Sequence, residues 1–438
     1  MSAGDINNLD EARKLAHQFP DASATLLDLN DSSKLDSLVK DHDVLVSLVP
    51  APLHPQLAEC AIQHGKHMVT ASYISPEMQK LNDRARSSNV TILNEIGLDP
   101  GIDHCSAMKI IDEAKAANGT IKSFISWCGG LTAPEDSGNQ LGYKFSWSPR
   151  GVMTAGLNAA KFKANGQLKN IASGSLFQNR FANVPLLPGF AFEGLANRDS
   201  LQYADIYGLD LDKMDTMFRG TLRFQGYSEL LDCFLRLGLL DLSASSKVDA
   251  SSRFAFLQHV LGCPGVESME TIVEAISRKL GVSVADPLIG RLLLSLEELG
   301  MLPGQQSEPL RAPTALDALS AILQKSLVYG PGERDLVCLH HEFGIERDDG
   351  LYEVRNSSLV VYGDAKSGVT AMARTVGVPA AIATRLLLEG KVSQHGTIRP
   401  TTPEIYNPLL ERLEKTGVVF NEHSRYGIHN SLQRRMAW

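Results

Sequence analysis

Residues 90–104 read VTILNEIGLDPGIDH, and this stretch decides the fold. Its first half is a short, nearly all-apolar run, which is typical of a strand buried on both faces. A turn rich in glycine and proline follows, and Ile102, Cys105 and Met108 then recur at helical spacing. A buried strand that turns directly into a helix predicts one unit of a parallel sheet covered by helices.

Three similar units lie upstream of this stretch. Helical stretches of about a dozen residues separate the apolar runs TLLDL from Thr25, VLVSLV from Val44 and HMVTAS from His67. Short buried strands that alternate with helices predict an α/β fold with a doubly wound parallel sheet. Ligands of such a sheet bind beyond the carboxyl ends of its strands.

The strand ends are therefore the candidate binding positions. They are Asp28 and the segments 47–50, 71–73 and 97–100. Each also has an interpretation as ordinary turn chemistry. Asp99 suits a helix N-cap in particular, because Pro100 would then occupy the first helical position. Capping and a functional role both stay open for Asp99.

The composition excludes several classes of protein. The chain has 438 residues and a formal net charge of -8, so electrostatics does not favour nucleic-acid binding. No apolar run approaches the ~20 residues of a membrane span, and the acidic start MSAGDINNLDEARKLA resembles neither a signal nor a transit peptide. Six cysteines without a CxxC pair predict no metal site, no disulfide framework and a reducing compartment. We expect a cytoplasmic location, with the mitochondrial matrix as the alternative, and neither a membrane nor a nucleic-acid partner.

The pattern changes past residue 120. Longer strands and loops, such as IKSFISWCGGL, indicate a second α/β domain, and strand patterns resume at DLVCLHHEFGIE. Between them, residues 228–329 are Leu-rich and helical, which predicts a small all-helical subdomain. Its apolar faces are core or, as the alternative, a dimer surface. Residues 371–390 predict a further helix that Gly377 and Pro379 interrupt.

The first domain lacks one expected feature. A dinucleotide-binding sheet normally opens with a strand, a glycine-rich turn and a helix, because close approach to the diphosphate requires glycine. No such turn precedes Thr25. We therefore expect an N-terminally incomplete sheet that the chain enters near the end of the second strand. Asp5 at that point either accepts a ribose hydroxyl, which would favour NAD, or caps the following helix.

Several stretches of the chain form a distinctive set that runs in order from about residue 24 to about residue 420. They are SLVPAPLHP, VTASYISPEM, NEIGLDPGIDH, CGGLTAPEDSGNQLGYKFSWSPRGV, NRDSLQYADIYG, FRGTLRFQGY, YGPGERDLVCLHHEFGIE and AMARTVGVPAAIATRLLLEGKV. In these stretches the chain resembles the glutamate-forming saccharopine dehydrogenases (saccharopine reductases), a family that also forms the carboxyl-terminal domain of bifunctional aminoadipic semialdehyde synthase. Trp127 departs from the family, which commonly has tyrosine there.

The resemblance implies three structural parts. They are a Rossmann-like NAD(P)-binding domain of residues 1–119 and about 367–395, a substrate and dimerisation α/β domain of residues 120–227, 330–366 and 396–438, and the helical subdomain 228–329. It also implies a reaction in which saccharopine, NAD+ or NADP+ and water give glutamate, aminoadipate semialdehyde and NADH or NADPH. Oxidation of the secondary amine gives an imine, which water then splits.

The resemblance further implies roles for particular residues. The substrate-binding positions are Ser72, Tyr73, Arg198, Thr221, Leu222 and Arg223. The cofactor-binding positions are Asp28, Val49, Ala71, Ser72, Leu98, Asp99 and Pro100. Asp99, Tyr73 and Cys128 are the candidates for the proton transfers that the reaction needs. Cys128 has an alternative interpretation as a small buried apolar side chain.

Two interpretations of function stay open. The first is active saccharopine dehydrogenase, as a homodimer or in fusion or association with lysine-ketoglutarate reductase. The second is a cofactor-deficient relative, inactive or regulatory, or a truncated chain that has lost dinucleotide binding. The missing glycine-rich turn is the reason for the second interpretation.

Overall fold

The computed structural model describes residues 2–5 and 9–427, and the side chains of residues 9–427. The chain forms two compact units. The first comprises Met1–Ile110 and Thr375–Val418, and the second comprises Ile111–Arg374 and Val419–Trp438.

The first stretch of chain alternates short strands with helices. In order, its elements are β1 (Ser2–Asp5), α1 (Leu9–Ala16), β2 (Ser23–Leu26), α2 (Ser32–Lys40), β3 (Val44–Ser47), α3 (His54–Gln63), β4 (His67–Thr70), α4 (Pro76–Gln79), α5 (Asn82–Ser87), β5 (Thr91–Leu93) and α6 (Ile102–Ala116).

Longer strands and a helical section follow. In order, the elements are β6 (Thr120–Thr132), α7 (Pro149–Ala155), β7 (Ala160–Ala164), β8 (Gln167–Ile171), β9 (Phe192–Ala196), α8 (Gln202–Ile206), β10 (Thr216–Phe224), α9 (Tyr227–Leu237), β11 (Val248–Ala250), α10 (Arg253–Leu261), α11 (Met269–Leu280), α12 (Pro287–Glu298), β12 (Leu310–Ala312), α13 (Ala315–Ser326), β13 (Asp335–Glu346), β14 (Tyr352–Tyr362), α14 (Ala371–Leu388), β15 (Gly396–Ile398), α15 (Pro403–Glu414) and β16 (Asn421–Gly427).

The first unit is built on a parallel sheet, as its alternating pattern predicts. Its strand order is β15-β5-β4-β3, and every neighbouring pair is parallel. β1 and β2 form a separate parallel pair. Helix α3 contributes Leu57 and Ala61 to the core, where they join Met68 of β4 and Ile92 of β5.

One predicted domain boundary is corrected by this sheet. The sequence assigned residues 396–438 to the second domain. The structure places residues 375–418 with the first unit because Gly396–Ile398 pairs with Thr91–Leu93. A three-residue strand carries too little periodicity to reveal its partner.

The second unit contains a mixed sheet with strand order β16-β14-β13-β6-β10-β7-β8, and β9 adds to β10. The long strand β6 lies between β10, to which it is parallel, and β13, to which it is antiparallel. One face of the sheet packs into a large core through Trp127, Phe218 and Leu222.

The helical section completes that same core. Leu237 of α9, Leu292 of α12 and Leu316 of α13 are each fully buried in one cluster with the sheet residues. This burial supports the interpretation of the Leu-rich faces as core. The section also contains an antiparallel pair of β11 and β12. Helical periodicity does not predict this pair, because strands of three residues are too short to interrupt it.

Helix α14 is continuous, so the predicted interruption at Gly377 and Pro379 was wrong. A proline inside a helix removes one backbone hydrogen bond, and burial of Thr375, Ala380 and Ala383 on one side offsets that loss. By length and composition alone, α14 could cross a membrane, a test that buried helices of water-soluble proteins also pass.

Candidate functional site

The turn after β5 is held rigidly by its backbone. The Glu95 N–H donates to the Ser72 carbonyl at 3.1 Å, and the Gly97 N–H donates to the Pro100 carbonyl at 2.9 Å. Gly101 has a φ of 151°, and a Cβ there would lie 2.0 Å from the Gly97 carbonyl oxygen. Only glycine fits this position, so the turn is a fixed platform at the carboxyl edge of the sheet.

Glu95 forms a buried ionic network beneath the turn. It is 2% exposed, and its carboxylate accepts hydrogen bonds from the Ile74 N–H at 3.0 Å and from Arg399 Nε at 3.0 Å. Its other oxygen lies 2.8 Å from Nε2 of the fully buried His104. Burial alone would raise the pKa of Glu95, but the contacts with His104, Arg399 and the Ile74 N–H together lower it.

Tyr73 and Asp99 meet at the open side of the platform. The Tyr73 hydroxyl donates to Asp99 Oδ1 at 3.1 Å, and both side chains are half-buried. The capping interpretation of Asp99 was wrong, because α6 begins at Ile102 and Asp99 lies three residues before it. The structure therefore brings together two of the three predicted proton-transfer residues.

A second network orients Ser72. His54 is 2% exposed and lies between Ser47 Oγ, 2.8 Å from its Nδ1, and Ser72 Oγ, 2.8 Å from its Nε2. Burial lowers the pKa of His54, so the imidazole is neutral at neutral pH. A neutral ring bonded at both nitrogens fixes the hydroxyl of Ser72 at the end of β4.

The predicted nucleotide contacts stand at the same strand ends. Val49, Ala71 and Ser72 are half-buried, whereas Leu98 and Pro100 are buried, and Asp28 is exposed and accepts from the Asn30 backbone N–H at 2.9 Å. Leu48, at the end of β3, has 72% of its surface exposed. The role of these positions as cofactor contacts stays a prediction. No glycine lies among residues 27–31, which follow β2, while residues 6–8, which follow β1, lie outside the described residues.

In the second unit, one face of the mixed sheet carries two of the predicted substrate residues, Thr221 and Arg223, together with Cys128. The register of β6 and β10 pairs Cys128 with Thr221, and strand alternation puts Arg223 on the same face. Leu222 points to the opposite face and is fully buried in the core. Its side chain is therefore unavailable to a substrate, and its carbonyl accepts from Arg223 Nη1 at 2.7 Å.

Arg223 is a buried cation enclosed by two tyrosines. The residue is 7% exposed, and its Cζ lies 5.0 Å from the Tyr143 ring centre and 5.2 Å from the Tyr227 ring centre. Burial acts to lower the pKa of Arg223, and the electrostatic effects of Tyr143, Tyr227 and Cys128 raise it overall. Burial raises the pKa of Tyr227 to about 12, so it stays neutral.

The charge of Arg223 has no anionic partner in the described part of the chain. Its Nε makes no hydrogen bond, and among residues 9–427 the nearby Glu193 forms its ion pair with Arg180 rather than with Arg223. Its cross-strand neighbour Glu193 instead accepts from the N–H groups of Gly226 and Ser228. An uncompensated buried cation is costly, which makes this position a strong attractor for an anion.

Arg198 lies elsewhere in the unit. It is exposed, has a φ of 49°, and follows β9, whose register with β10 runs from Ala196 opposite Gly220 to Phe192 opposite Phe224. Arg198 lies two residues beyond the Ala196–Gly220 end of this ladder, whereas Arg223 lies next to its Phe192–Phe224 end. The ladder does not bring the two predicted arginines together.

Several residues of these networks escaped the sequence-based reasoning. They are His54, Glu95, His104 and Arg399 in the first unit, and Tyr143 and Tyr227 in the second, together with Arg219, which is 2% exposed and whose Cζ lies 3.9 Å from the Tyr203 ring centre. Arg219 is two residues before Thr221, so strand alternation could have found it. No sequence pattern distinguishes Tyr143 or Tyr227, because Tyr143 lies in a loop and Tyr227 is the first residue of α9.

The sequence matches two family models. One, described as the saccharopine dehydrogenase NADP binding domain, matches residues 7–93. The other, described as the saccharopine dehydrogenase C-terminal domain, matches residues 97–418. Together they account for nearly the whole chain.

Individual relatives agree with the family models. A saccharopine dehydrogenase [NADP(+), L-glutamate-forming] of Pyricularia oryzae is 39% identical over 418 residues, covering 94% of this chain and 91% of the relative. The mitochondrial alpha-aminoadipic semialdehyde synthase of Mus musculus is 40% identical over 396 residues, which are 90% of this chain. This chain spans only 42% of the length of that mouse protein.

A solved structure has the same fold. The apo saccharopine dehydrogenase (L-Glu forming) of Saccharomyces cerevisiae superposes with a TM-score of 0.84 at 38% sequence identity. The match covers 97% of this chain and 94% of the yeast chain.

Proposed function

Because the chain belongs to the saccharopine dehydrogenase family, we propose that it is an NADP-dependent oxidoreductase that acts on the CH–NH bond of saccharopine. The products are glutamate and aminoadipate semialdehyde, which places the enzyme in lysine metabolism. NAD is the alternative cofactor. The enzyme acts either in lysine breakdown or in lysine synthesis, because saccharopine is cleaved in one direction of the reaction and formed in the other.

The environment of Arg223 is the observation that carries the proposal. Saccharopine has three carboxylates, and the planar guanidinium of arginine binds a carboxylate through two parallel hydrogen bonds. Arg223 is buried, lacks an anionic partner among the described residues, and keeps its Nε unbonded. A substrate carboxylate would supply the missing charge, and Thr221 adds a hydroxyl on the same face.

In this proposal, Tyr73 and Asp99 carry out the proton transfers. The bound dinucleotide would take up the hydride from the carbon next to the secondary amine. Asp99 Oδ1 accepts a hydrogen bond from the Tyr73 hydroxyl at 3.1 Å, and this bond holds the phenol in one orientation. Cys128, on the face of Arg223, is a further candidate for a proton carrier, and Arg198 for a second carboxylate ligand.

Substitution of Arg223 tests the substrate assignment. In Arg223→Lys the charge remains but the two-pronged geometry is lost, so saccharopine-dependent NADPH formation should show a KM raised roughly 10–150-fold. Arg311→Lys is the matched control, because Arg311 is 84% exposed in the same unit. An unchanged KM in Arg223→Lys would remove Arg223 from the substrate site.

Substitution of Tyr73 tests the proton path separately. Tyr73→Phe keeps the ring and removes the hydroxyl bonded to Asp99, so kcat should fall roughly 10²-fold or more with little change in KM. The exposed Tyr426→Phe serves as the control. Equal kcat values for Tyr73→Phe and the unsubstituted protein would exclude this residue from the chemistry.

Direct titration with NADPH separates the two open functions. Micromolar binding would support the dehydrogenase. Folded protein that binds neither NADPH nor NADH, and does not turn over saccharopine, would instead be the cofactor-deficient relative. Residues 27–31, directly after β2, contain no glycine, so the backbone donors that a glycine-rich turn offers a diphosphate are missing there.

The compartment and the assembly are part of the proposal. All six cysteines are free, which fits the reducing cytoplasm or, as the alternative, the mitochondrial matrix. A homodimer, and fusion to or association with lysine-ketoglutarate reductase, are the assemblies that we propose to test by light scattering and co-purification. We propose no nucleic-acid or membrane partner.

A further inference from the structure

Three side chains on the outer helices of the first unit bring different metal-binding atoms to one point. Asp36 lies on α2, and Cys60 and His64 lie four residues apart at the end of α3. Their ligand atoms all lie within 4.8 Å of one another. None of the three belongs to the strand-end networks around Ser72 and Asp99.

The distances suit a tetrahedral ion. Cys60 Sγ and His64 Nε2 each lie 3.2 Å from Asp36 Oδ1. Bond lengths of ~2.3 Å to sulfur and ~2.0–2.1 Å to nitrogen and oxygen put ligand atoms of tetrahedral zinc ~3.3–3.6 Å apart. An ion can therefore enter with shifts of a few tenths of an ångström, which side-chain rotation supplies.

The charges also favour a cation here. Among the described residues, no lysine or arginine lies within ion-pair distance of Asp36, whose carboxylate contacts only the thiol and the imidazole. Cys60 is 6% exposed, while the side chains of Asp36 and His64 are 44% and 20% exposed. An ion can thus reach the group from solvent, and water can occupy the fourth position.

We propose that Asp36, Cys60 and His64 form a zinc site that ties α2 to α3. Zinc is the metal because a thiolate, an imidazole and a carboxylate form a ligand set of mixed softness. Binding replaces the thiol proton and any imidazolium proton, which pass to the solvent. The site is independent of saccharopine chemistry.

Cobalt is the spectroscopic probe. The full-length protein is stripped with chelator and titrated with Co²⁺, and the near-ultraviolet absorption of a cobalt–thiolate bond is followed. We expect a band that saturates at one equivalent and disappears on addition of Zn²⁺. Zn²⁺ should also raise the melting temperature of the protein.

Matched variants assign the band. Cys60→Ser should abolish it, while Cys263→Ser, which alters another free cysteine that is partly exposed, should retain it. Serine keeps the size of Cys60 and its hydrogen bond to Asp36, so the fold should persist, and the melting temperature without metal checks this. His64→Gln should weaken Zn²⁺ binding roughly tenfold or more. A band that is absent from the unsubstituted protein, or that survives in Cys60→Ser, would overturn the proposal.

Discussion

The carboxylate of Glu95 is buried and has almost no contact with solvent. The His104 ring, the Arg399 guanidinium and the Ile74 N–H replace the water that it loses. Because Glu95 has a φ of 56°, the backbone turns sharply here and directs the side chain inward beneath the turn. The same residue therefore shapes the platform that carries Asp99 and stabilises it.

Replacement of Glu95 should show this role through pH. In Glu95→Gln, the partners of a buried carboxylate lose its charge, and we expect a loss of about 3 kcal/mol of stability at pH 7. Because folding lowers the pKa of Glu95, its contribution is complete above the ordinary value of ~4.3 and is lost as pH falls through the folded value. Urea titrations should therefore give a smaller difference below pH ~4.

The control for this experiment is Glu411→Gln in the same unit. Glu411 has 67% of its side chain exposed and pairs with Lys415 one helical turn away. Its urea midpoint should stay unchanged. A Glu95→Gln variant as stable as this control at pH 7 would contradict the ionic role of Glu95.

The sequence predicts individual residues only where they lie on a regular pattern. Tyr73 and Asp99 follow predicted strands, and the structure joins them. The tyrosines around Arg223 come from a loop and from the start of α9, so their meeting depends on tertiary packing. Leu222 shows the converse: its position in FRGTLR resembles a binding position, but strand alternation turns its side chain into the core.

At the level of elements, two positions differ in whether they require glycine. Gly101 in the turn before α6 has a left-handed φ and no room for a Cβ. Gly377 in α14 is exposed, has an ordinary helical conformation and has nothing within 4 Å of an added Cβ. The first glycine is required by the turn, whereas the second only weakens a helix.

Alanine substitutions should separate these two cases. Gly377→Ala should stabilise the protein by about 0.5–1 kcal/mol, because alanine loses less backbone entropy than glycine in a helix. Gly101→Ala should destabilise it by more than that amount and reduce turnover, because the turn that carries Asp99 must shift. Thermal melts and the saccharopine assay measure both effects. Stabilisation by Gly101→Ala would contradict the tight packing of the turn.

The continuity of α14 marks a limit of sequence rules for elements. Gly377 and Pro379 together predict a break, yet the helix runs from Ala371 to Leu388. Proline costs the helix one backbone hydrogen bond whatever the surrounding structure. The stabilisation from burial of the residues that follow it depends on the rest of the fold. Strong periodicity predicted the existence of the helix correctly, and tertiary packing decided its length.

For the whole molecule, the largest core joins the mixed sheet to the helical section. The parallel sheet, the second α/β part and the helical section all follow from periodicity, because long runs of side chains repeat it. The assignment of residues 396–418 to the first unit does not follow from periodicity, because β15 pairs with β5, which lies far earlier in the chain. Sequence patterns thus predicted the parts better than the division between them.

Leucine substitutions test whether the helical section is core or a separate interaction surface. Leu237→Ala should cost roughly 2–5 kcal/mol, because Leu237 is fully buried in the shared core. Leu294→Ala, at a leucine that is 48% exposed, should leave the stability unchanged. Urea unfolding and light scattering on both variants are the measurements. A change of oligomeric state in Leu237→Ala without loss of stability would favour the interaction surface.

The pairing of β15 with β5 has a consequence for synthesis on the ribosome. Strand β5 leaves the ribosome about 300 residues before Gly396–Ile398. At roughly 5–20 residues per second, translation of that interval takes roughly 15–60 s. During this time one side of β5 lacks its native neighbour and offers unpaired backbone groups to other nascent chains. Until Gly396–Ile398 is synthesised, this edge of β5 in the nascent first unit must be covered by something other than β15.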